Sequence, residues 1–205
     1  KFKHNVEKGK WQSNYEAAYI YKKSDGVEKT NDAYAVAKLA GYQMCKAYNE
    51  QFGTSFITLM PSNIYGPGDN YDSLNSHFFS ALLKKIYLAK KNKKNNIEIW
   101  GDGKAKRELI YVDDVADACE YFSRKKIQED LINIGTTKDY TIEYYAKFIM
   151  KKLEVKLKIK KNLKFKKGTP RKLLSSNLAK KLGWSSKTNL NDGFNIMLKD
   201  FMNSV

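Results

Sequence analysis

The segment Asn31-Asp-Ala-Tyr-Ala-Val-Ala-Lys38, with the residues that follow it, carries the first structural prediction for this chain. It is rich in alanine and in long unbranched side chains, and Asp32 is suited to an N-cap, so we expect a helix over residues 31–51. Tyr34 and Lys38 are four residues apart, which places both side chains on one face of that helix, one turn from each other.

This Tyr-x-x-x-Lys spacing suits proton transfer. A nearby ammonium favours the ionised form of a phenol, and a phenol tuned in this way can pass a proton to or from a sugar or alcohol oxygen. The same spacing also arises by accident on the surface of ordinary helices. The spacing alone therefore leaves a catalytic pair and a plain surface helix both open.

The composition is that of a globular protein. With 205 residues the chain has room for one or two domains, and 42% hydrophobic with 13% aromatic residues exclude a disordered chain. No apolar run approaches the ~18 residues of a membrane span, and residues 1–12 are too polar for a secretory leader. We expect a cytoplasmic protein in which Cys45 and Cys119 are reduced thiols and form no zinc site with His4 and His77.

The chain is strongly basic, with a formal net charge of +16 and a pI of about 9.6. Such a charge suits a nucleic-acid ligand. The lysines are scattered, however, and are not interleaved with aromatic side chains that could stack on bases. We therefore favour lysine-rich solvated faces, with no nucleic-acid or membrane partner, and keep open that some lysines hold a phosphorylated ligand.

Helical and strand patterns alternate along the rest of the chain, which indicates the α/β class. Glycine and proline mark the loops, and no internal repeat is present. Beyond the first helix we expect strands over residues 55–60, 97–100, 108–112, 131–134, 156–160 and within 168–174, a loop over 62–69, and helices over 76–91, 113–123, 141–153, 176–182 and 190–202.

Seven short motifs follow one another in a specific order. They are Tyr34-x-x-x-Lys38, Met60-Pro-Ser-Asn-Ile-Tyr-Gly-Pro67, Asn75-Ser-His77, Ile99-Trp-Gly-Asp-Gly103, Arg107-Glu-Leu-Ile-Tyr-Val-Asp-Asp114, Ile132-Asn-Ile-Gly135 and Gly168-Thr-Pro-Arg-Lys172. In this order they resemble the extended short-chain dehydrogenase/reductases, and within that group the GDP-L-fucose synthase family of epimerase-reductases. The resemblance runs unbroken over about residues 29–203.

The resemblance implies the C-terminal part of a Rossmann-type α/β protein with a small α/β substrate-binding lobe. Residues 1–70 would be the remainder of the dinucleotide-binding domain. Residues 71–205 would be mainly the lobe, with a return to the Rossmann domain at about 108–125. The resemblance further implies an NADPH-dependent epimerase/reductase, a homodimer, whose substrate is a GDP-4-keto-6-deoxy-hexose.

The resemblance also assigns catalytic roles to three side chains. Tyr34 would protonate the sugar oxygen while hydride reaches C4, and Lys38 would hold the nicotinamide ribose and tune the tyrosine. His77 would be the acid of the epimerisation and would lie beside the cofactor. The alternative for His77 is an ordinary helix-start histidine bonded to solvent or backbone.

The resemblance places the cofactor against a loop of four residues: Pro61, Ser62, Asn63 and Ile64. They would line the nicotinamide, and Asn63 would also reach the sugar. The alternative is an ordinary turn after a strand, because proline and glycine explain its shape without a ligand.

The resemblance gives Trp100 and Arg107 to the nucleotide part of the substrate, and it adds Lys85 and Lys172 as further substrate-binding residues. The chemistry fits, because a guanidinium grips a diphosphate as a bidentate fork and an indole stacks on a base or ribose. The alternatives are a core aromatic for Trp100, an ion pair with Glu108 or Asp113 for Arg107, and a solvated surface position for Lys172.

The chain departs from the family pattern at several places. Lys85 stands where the family has arginine, which keeps the charge and loses the fork. Lys167 stands where the family has an acid that helps to read the base or sugar. The family also has a Gly-rich strand-turn-helix, a catalytic serine and an epimerase cysteine before the tyrosine. Residues 1–28 contain Ser13 and Ser24 but no such block.

Cys45 cannot replace that cysteine, because about 16 Å of helix separates it from Tyr34 at about 1.5 Å per residue. We therefore expect a truncated chain, the second half of an enzyme, that binds NADPH poorly by itself; the alternative is a divergent relative. Three other functions stay open: a C4-reductase or epimerase on another GDP-sugar such as a heptose, a non-catalytic basic binding protein, and an inert remnant.

Overall fold

The computed structural model describes residues 32–72, 76–164 and 169–205, together with four two-residue strands in the first 31 residues. The predictions that concern His4, Ser13, Ser24 and Lys167 lie outside the described residues.

The chain divides into two compact units, and each is described by itself. Unit 1 comprises Lys1–Ile64, Glu108–Lys138 and Lys172–Leu190. Unit 2 comprises Tyr65–Arg107, Asp139–Arg171 and Asn191–Val205.

Strands and helices alternate over most of the described chain, as the α/β class requires. The helices are α1 (Asp32–Phe52), α2 (Phe78–Lys91), α3 (Val112–Ser123), α4 (Ile142–Lys152), α5 (Asn177–Lys181) and α6 (Leu190–Asn203). The strands are β1 (Val6–Glu7), β2 (Lys10–Trp11), β3 (Tyr21–Lys22), β4 (Gly26–Val27), β5 (Thr58–Pro61), β6 (Asn63–Tyr65), β7 (Asn96–Trp100), β8 (Lys106–Tyr111), β9 (Leu131–Ile134), β10 (Asp139–Thr141), β11 (Lys158–Asn162) and β12 (Arg171–Lys172). None of the described helices is both long and apolar enough to cross a membrane.

Unit 1 is built around a parallel strand pair. β5 and β9 run in the same direction, with Thr58 opposite Leu131 and Pro61 opposite Ile134. Two short antiparallel pairs, β1 with β2 and β3 with β4, precede α1. Apolar burial supplies the main stabilising free energy of such a core. Its fully buried cluster consists of Ile110, Ala118, Phe122, Ile132, Ile134, Ala179 and Trp184.

Helix α1 ends where the sequence predicts, just before Gly53, whose φ of 65° is the left-handed conformation that glycine tolerates. The Asn49 side chain fixes the following loop, because its Oδ1 accepts from the Phe56 amide and from the Thr54 hydroxyl, each at 2.8 Å. This loop keeps its backbone out of the ladder, so β5 begins at Thr58, later than the predicted strand start at residue 55.

Unit 2 combines a parallel ladder with a helical layer. β7 and β11 are parallel, with Ile97 opposite Ile159. Helices α2 and α4 pack against each other through buried aromatic rings. The rings of Phe79 and Tyr145 lie 5.4 Å apart edge to face, and Phe79 lies 5.7 Å from the Phe194 ring of α6. The core of unit 2 therefore forms where these three helices meet.

Several boundaries differ from the sequence-based expectation. β6 lies inside the segment predicted as a loop, and β10 was not predicted as a strand. β11 begins at Lys158 rather than Lys156, because its ladder partner begins at Asn96, opposite Lys158. β8 runs from Lys106 to Tyr111, and the division of the chain into units falls within it, between Arg107 and Glu108.

Candidate functional site

Tyr34 and Lys38 lie together on α1, as the four-residue spacing predicts. The Lys38 Nζ is 5.4 Å from the centroid of the Tyr34 ring. Tyr34 is 53% exposed and Lys38 is also exposed. The phenol and the ammonium are therefore adjacent to each other and accessible to a ligand.

The predicted cofactor loop stands at the carboxyl end of β5. The Ser62 amide donates to the Ile134 carbonyl at 3.1 Å, which extends the pairing of β5 with β9 by one step. The Asn63 Nδ2 donates to the main-chain oxygen of Glu108 at 2.7 Å. In open α/β sheets, ligands bind outside the carboxyl ends of parallel strands, so the four residues from Pro61 to Ile64 occupy a position that suits ligand binding.

Two side chains of this loop stand out, one for its exposure and one for its buried hydroxyl. Ile64 is exposed although it is apolar. The Ser62 hydroxyl is buried and has no hydrogen-bond partner among the described residues. A buried hydroxyl without a partner costs free energy, and Ser62 carries this cost within the described residues.

His77 lies in unit 2, at the residue that precedes the first turn of α2. Its backbone is extended, with φ −64° and ψ 158°, and its side chain makes no capping hydrogen bond. The helix begins at Phe78, two residues later than predicted, and the His77 side chain is exposed. The imidazole therefore lies at the start of the helix and does not cap it with a hydrogen bond.

Unit 2 contains a cavity of about 720 Å³. It brings together three of the predicted substrate-binding residues: Lys85 of α2, Trp100 of β7 and Arg107 of β8. Ligand sites commonly have volumes of about 300–1,000 Å³, so this cavity is of a suitable size. The other lining residues are Ser76, Phe78, Ala81, Leu82, Lys84, Leu88, Ile99, Gly101, Asp102, Gly103, Lys104, Ala105, Ile142 and Pro170.

One wall of the cavity is a tight turn after β7. Gly101 and Gly103 have φ values of 71° and 73°, and the Asp102 Oδ1 accepts from the Lys104 amide at 3.0 Å. A Cβ on Gly103 would approach the Ile99 Cδ1 to 2.7 Å. Glycine is therefore required at Gly103 by both the backbone conformation and the packing.

The cavity is electropositive. Its lining carries Lys84, Lys85, Lys104 and Arg107, and the acidic side chain among the lining residues is Asp102. Such a wall attracts a phosphate-bearing ligand through charge. Apolar side chains complete the lining, so a ligand with both a charged and an apolar part fits it best.

Two of the cavity's cations, Lys85 and Arg107, donate to main-chain oxygens. The Lys85 Nζ donates to the Glu98 carbonyl at 2.8 Å. Desolvation at the cavity wall lowers the pKa of Lys85, and the Glu98 carboxylate opposes this change. The Arg107 Nη1 donates to the carbonyls of Lys106 and Thr169, at 2.7 and 2.8 Å.

One alternative interpretation is wrong, and one of the two ion-pair partners considered for Arg107 is excluded. Trp100 is 65% exposed and is not a core aromatic, because β7 turns this face outward. Glu108 does not ion-pair with Arg107 in the way considered above, because its buried carboxylate accepts from main-chain amides instead.

Lys172, also predicted to bind the substrate, belongs to β12 of unit 1 and is not among the residues that line the cavity. Sequence reasoning also missed Lys84, Asp102 and Lys104. A signal existed, because the run Trp100-Gly-Asp-Gly-Lys-Ala-Lys-Arg107 places polar residues around a glycine turn. Among the described residues, no cluster of three or more histidine, cysteine, aspartate or glutamate side chains could hold a metal.

Comparison with known proteins connects these features. Residues 16–135, more than half of the chain, match the NAD dependent epimerase/dehydratase family. The chain belongs to this family. The family assignment accounts for the α/β fold and confirms the resemblance drawn from the seven motifs.

Two relatives of this epimerase/dehydratase-family chain are especially informative. It is 38% identical over 167 residues to GDP-L-fucose synthase 1 of Arabidopsis thaliana, with 82% of this chain and 52% of that protein covered. It is 37% identical over 180 residues to GDP-L-colitose synthase of Yersinia pseudotuberculosis, with coverages of 86% and 58%. The chain therefore spans about half the length of the curated relatives it matches.

A solved structure agrees with this assignment. MlghC, a GDP-mannoheptose C4 reductase from Campylobacter jejuni with NADP bound, superposes with a TM-score of 0.74 at 29% identity. The match covers 97% of this chain and 66% of that chain. The predicted fold class, part of a Rossmann-type α/β protein, is thus confirmed.

Proposed function

We propose that this chain is part of an NADPH-dependent epimerase/reductase that acts on a GDP-4-keto-6-deoxy-hexose. The observation that carries the proposal is the electropositive cavity of unit 2, which gathers Lys85, Trp100 and Arg107. The names of the relatives, GDP-L-fucose synthase and GDP-L-colitose synthase, support a GDP-sugar as the substrate class.

In this proposal the cavity holds the nucleotide part of the substrate. The exposed indole of Trp100 offers a flat apolar face for a base or ribose. Lys85 and Arg107 supply positive charge to a diphosphate, and the planar guanidinium adds directional donors. The resemblance also assigns Lys172 of unit 1 to the substrate.

The residues of unit 1 fit a nicotinamide dinucleotide. Tyr34 and Lys38 present an exposed hydroxyl and an exposed ammonium side by side, which is the donor set that ribose hydroxyls require. The loop from Pro61 to Ile64 offers the exposed apolar side chain of Ile64 and the Ser62 hydroxyl. NADPH, when bound, would supply hydride to the C4 ketone.

The chain's own side chains would then move protons. The Tyr34 phenol would donate its proton to the ketone oxygen of the sugar, so that the product is an alcohol. Lys38, one helical turn away, would hold the phenol and the ribose in place. His77 would return a proton to a carbon beside the ketone during epimerisation.

A reductase or epimerase acting on another GDP-sugar, such as a heptose, is the second candidate. Lys85 favours it, because this lysine replaces the arginine of the fucose synthase pattern and so changes the nucleotide contact. The likeness to a GDP-mannoheptose C4 reductase points in the same direction. In either case we propose a cytoplasmic homodimer.

The test has two stages. GDP, UDP, ADP and a short oligonucleotide are first titrated into the 205-residue chain by calorimetry, and we expect GDP to bind most tightly. The enzyme from the complete reading frame is then assayed with NADPH against a GDP-4-keto-6-deoxy-hexose and a GDP-4-keto-heptose. Salt-steep oligonucleotide binding without preference for GDP would instead favour a basic binding protein.

A further inference from the structure

We propose that Glu108 is a positioning residue, which fixes from within unit 1 both the cofactor loop at Ser62 and Asn63 and the segment from Lys172 to Leu174. This inference rests on the proposed function, because Lys172 and Asn63 are ligand residues in it. Glu108 itself touches no ligand in this proposal.

The Glu108 side chain is completely buried, at 0% exposure. Its Oε2 accepts from the Leu174 amide at 2.7 Å, and its Oε1 accepts from the Thr137 amide at 2.7 Å and from the Thr136 hydroxyl at 3.4 Å. One carboxylate thus joins two segments that lie 29 and 66 residues along the chain from it. Lys172 is two residues from the Leu174 amide.

The same residue supports the cofactor loop. Its main-chain oxygen accepts from the Asn63 Nδ2 at 2.7 Å. Its carboxylate lies so close to Gly135 that a Cβ there would collide with both carboxylate oxygens. Ile134, the residue before this glycine, accepts from the Ser62 amide at 3.1 Å. Glu108 is therefore bonded directly to Asn63 and lies beside Gly135, the residue that follows the carbonyl bonded to Ser62.

Burial of the Glu108 carboxylate costs free energy, and the hydrogen bonds that it accepts offset part of this cost. Burial raises the pKa of Glu108, while the bonds from Leu174, Thr137 and Thr136 oppose that rise. A glutamine has the same shape but only one acceptor oxygen. In the variant, one of the two amides that donate to the carboxylate would face the NH₂ group of the glutamine and lose its hydrogen bond. The segment that carries this amide would then be held less firmly.

Asp114 supplies a matched comparison within unit 1. It is 4% exposed, and its carboxylate accepts from the amides of Lys187 and Thr188, at 3.1 and 3.0 Å. Both carboxylates tie a distant backbone segment to unit 1. The Asp114 carboxylate, however, is bonded to no residue of the proposed ligand sites in these contacts, so its loss tests structure alone.

The experiment is a double-mutant cycle with GDP as the probe. GDP is titrated by calorimetry into the unaltered 205-residue chain and into Lys172→Gln, Glu108→Gln and the double variant. Removing the lysine should weaken GDP binding about tenfold, and removing the carboxylate about fivefold. The double variant should bind no worse than Lys172→Gln, because Glu108 acts through the lysine.

The outcomes separate this inference from the proposed function. If the two single losses are independent, they multiply, and the double variant binds GDP about fiftyfold more weakly than the unaltered chain. That result, or an unchanged affinity in Glu108→Gln, would overturn the positioning role and leave the proposed function standing. Absence of GDP binding by the unaltered chain would overturn both. Asp114→Asn should lower the midpoint of thermal unfolding and leave the GDP affinity unchanged.

A measurement on the unaltered chain covers the case in which Glu108→Gln does not fold. Amide hydrogen exchange is followed at Leu174 and Thr137, and at Lys187 and Thr188 as the comparison pair. GDP should slow exchange at Leu174 by about fivefold or more and leave the comparison pair unchanged. Equal slowing at all four amides would contradict the proposal.

Discussion

The two units use acidic side chains differently. Unit 1 has 17 lysine and arginine residues against 13 aspartates and glutamates, whereas unit 2 has 21 against nine. In unit 1 the carboxylates of Glu108 and Asp114 are buried and accept from main-chain amides. In unit 2 the carboxylate of Glu143 lies near the surface between Lys147 and Lys161, with distances of 2.7 and 2.9 Å.

The placement of charge thus differs between the two units. In unit 1 the buried carboxylates of Glu108 and Asp114 each join a distant backbone segment to the core. Unit 2 leaves an excess of positive charge, part of which lines its cavity. The substitutions below should therefore have distinguishable effects: on reduction for Tyr34 of unit 1, on epimerisation for His77 of unit 2, and on nucleotide affinity for Arg107 of unit 2.

The largest effect is expected for Tyr34→Phe. Removing the phenolic proton should lower the rate of ketone reduction by about 10²–10⁴-fold, the usual contribution of one positioned acid. The affinity for GDP should not change. Turnover of NADPH in the enzyme from the complete reading frame provides the measurement.

Tyr48→Phe is the control for this change, because Tyr48 lies on the same helix and is 47% exposed, and its ring contacts Phe52. It should retain the full reduction rate. A near-normal reduction rate for Tyr34→Phe would show that Tyr34 of unit 1 is not the proton donor of the reduction.

The next effect is expected for His77→Asn in unit 2. Loss of its proton should slow epimerisation by about 10²-fold or more, whereas reduction should fall less. Deuterium uptake from solvent beside the ketone reports epimerisation, and oxidation of NADPH reports reduction. An equal loss of both rates would contradict the separate role of His77.

A smaller effect is expected for Arg107→Lys. The charge is kept but the planar fork is lost, so the Kd for GDP should rise about tenfold, as measured by calorimetry at low salt. Arg124→Lys in unit 1 is the matched control, because that guanidinium forms an exposed ion pair with the carboxylate of Glu120 on the same helix and does not line the cavity. If both changes weaken GDP equally, the cavity is not the nucleotide site.

The smallest effect is expected for Glu143→Gln. Hydrogen bonds from two lysines lower the pKa of Glu143 from 4.5 to about 2, and the bond from Lys147 has a larger effect than the bond from Lys161. Its contribution is therefore present at neutral pH and is lost as the pH falls from about 4.5 towards 2. The substitution should lower the free energy of unfolding at pH 7 by about 1 kcal/mol or less, because the pair lies near the surface.

Denaturant unfolding at pH 7 and at pH 3 measures this prediction. The unaltered chain should lose more stability between the two pH values than the Glu143→Gln variant does. Glu120→Gln, which breaks an exposed pair four residues apart on α3, is the control. High salt should reduce the difference, as expected for ion pairs in contact with solvent.

Much of the local structure follows from the sequence. The range of α1, the Thr141 cap of α4 and the glycine turn after β7 agree with their patterns, and the Thr141 hydroxyl accepts from the Tyr144 amide at 3.0 Å. β6 was missed because it is three residues long and follows a proline, so its pattern is that of a loop. The motif order also led to Lys85, Trp100 and Arg107, which the cavity brings together.

The sequence sets the side-by-side placement of Tyr34 and Lys38, because residues four apart in a helix share a face whatever surrounds it. It could not reveal the partners of Glu108, where the motif suggested an ion pair with its neighbour Arg107. Those partners are the amides of Thr137 and Leu174, and every residue except proline carries such an amide. The choice between them depends on which distant segment the folded chain brings within reach of the buried carboxylate.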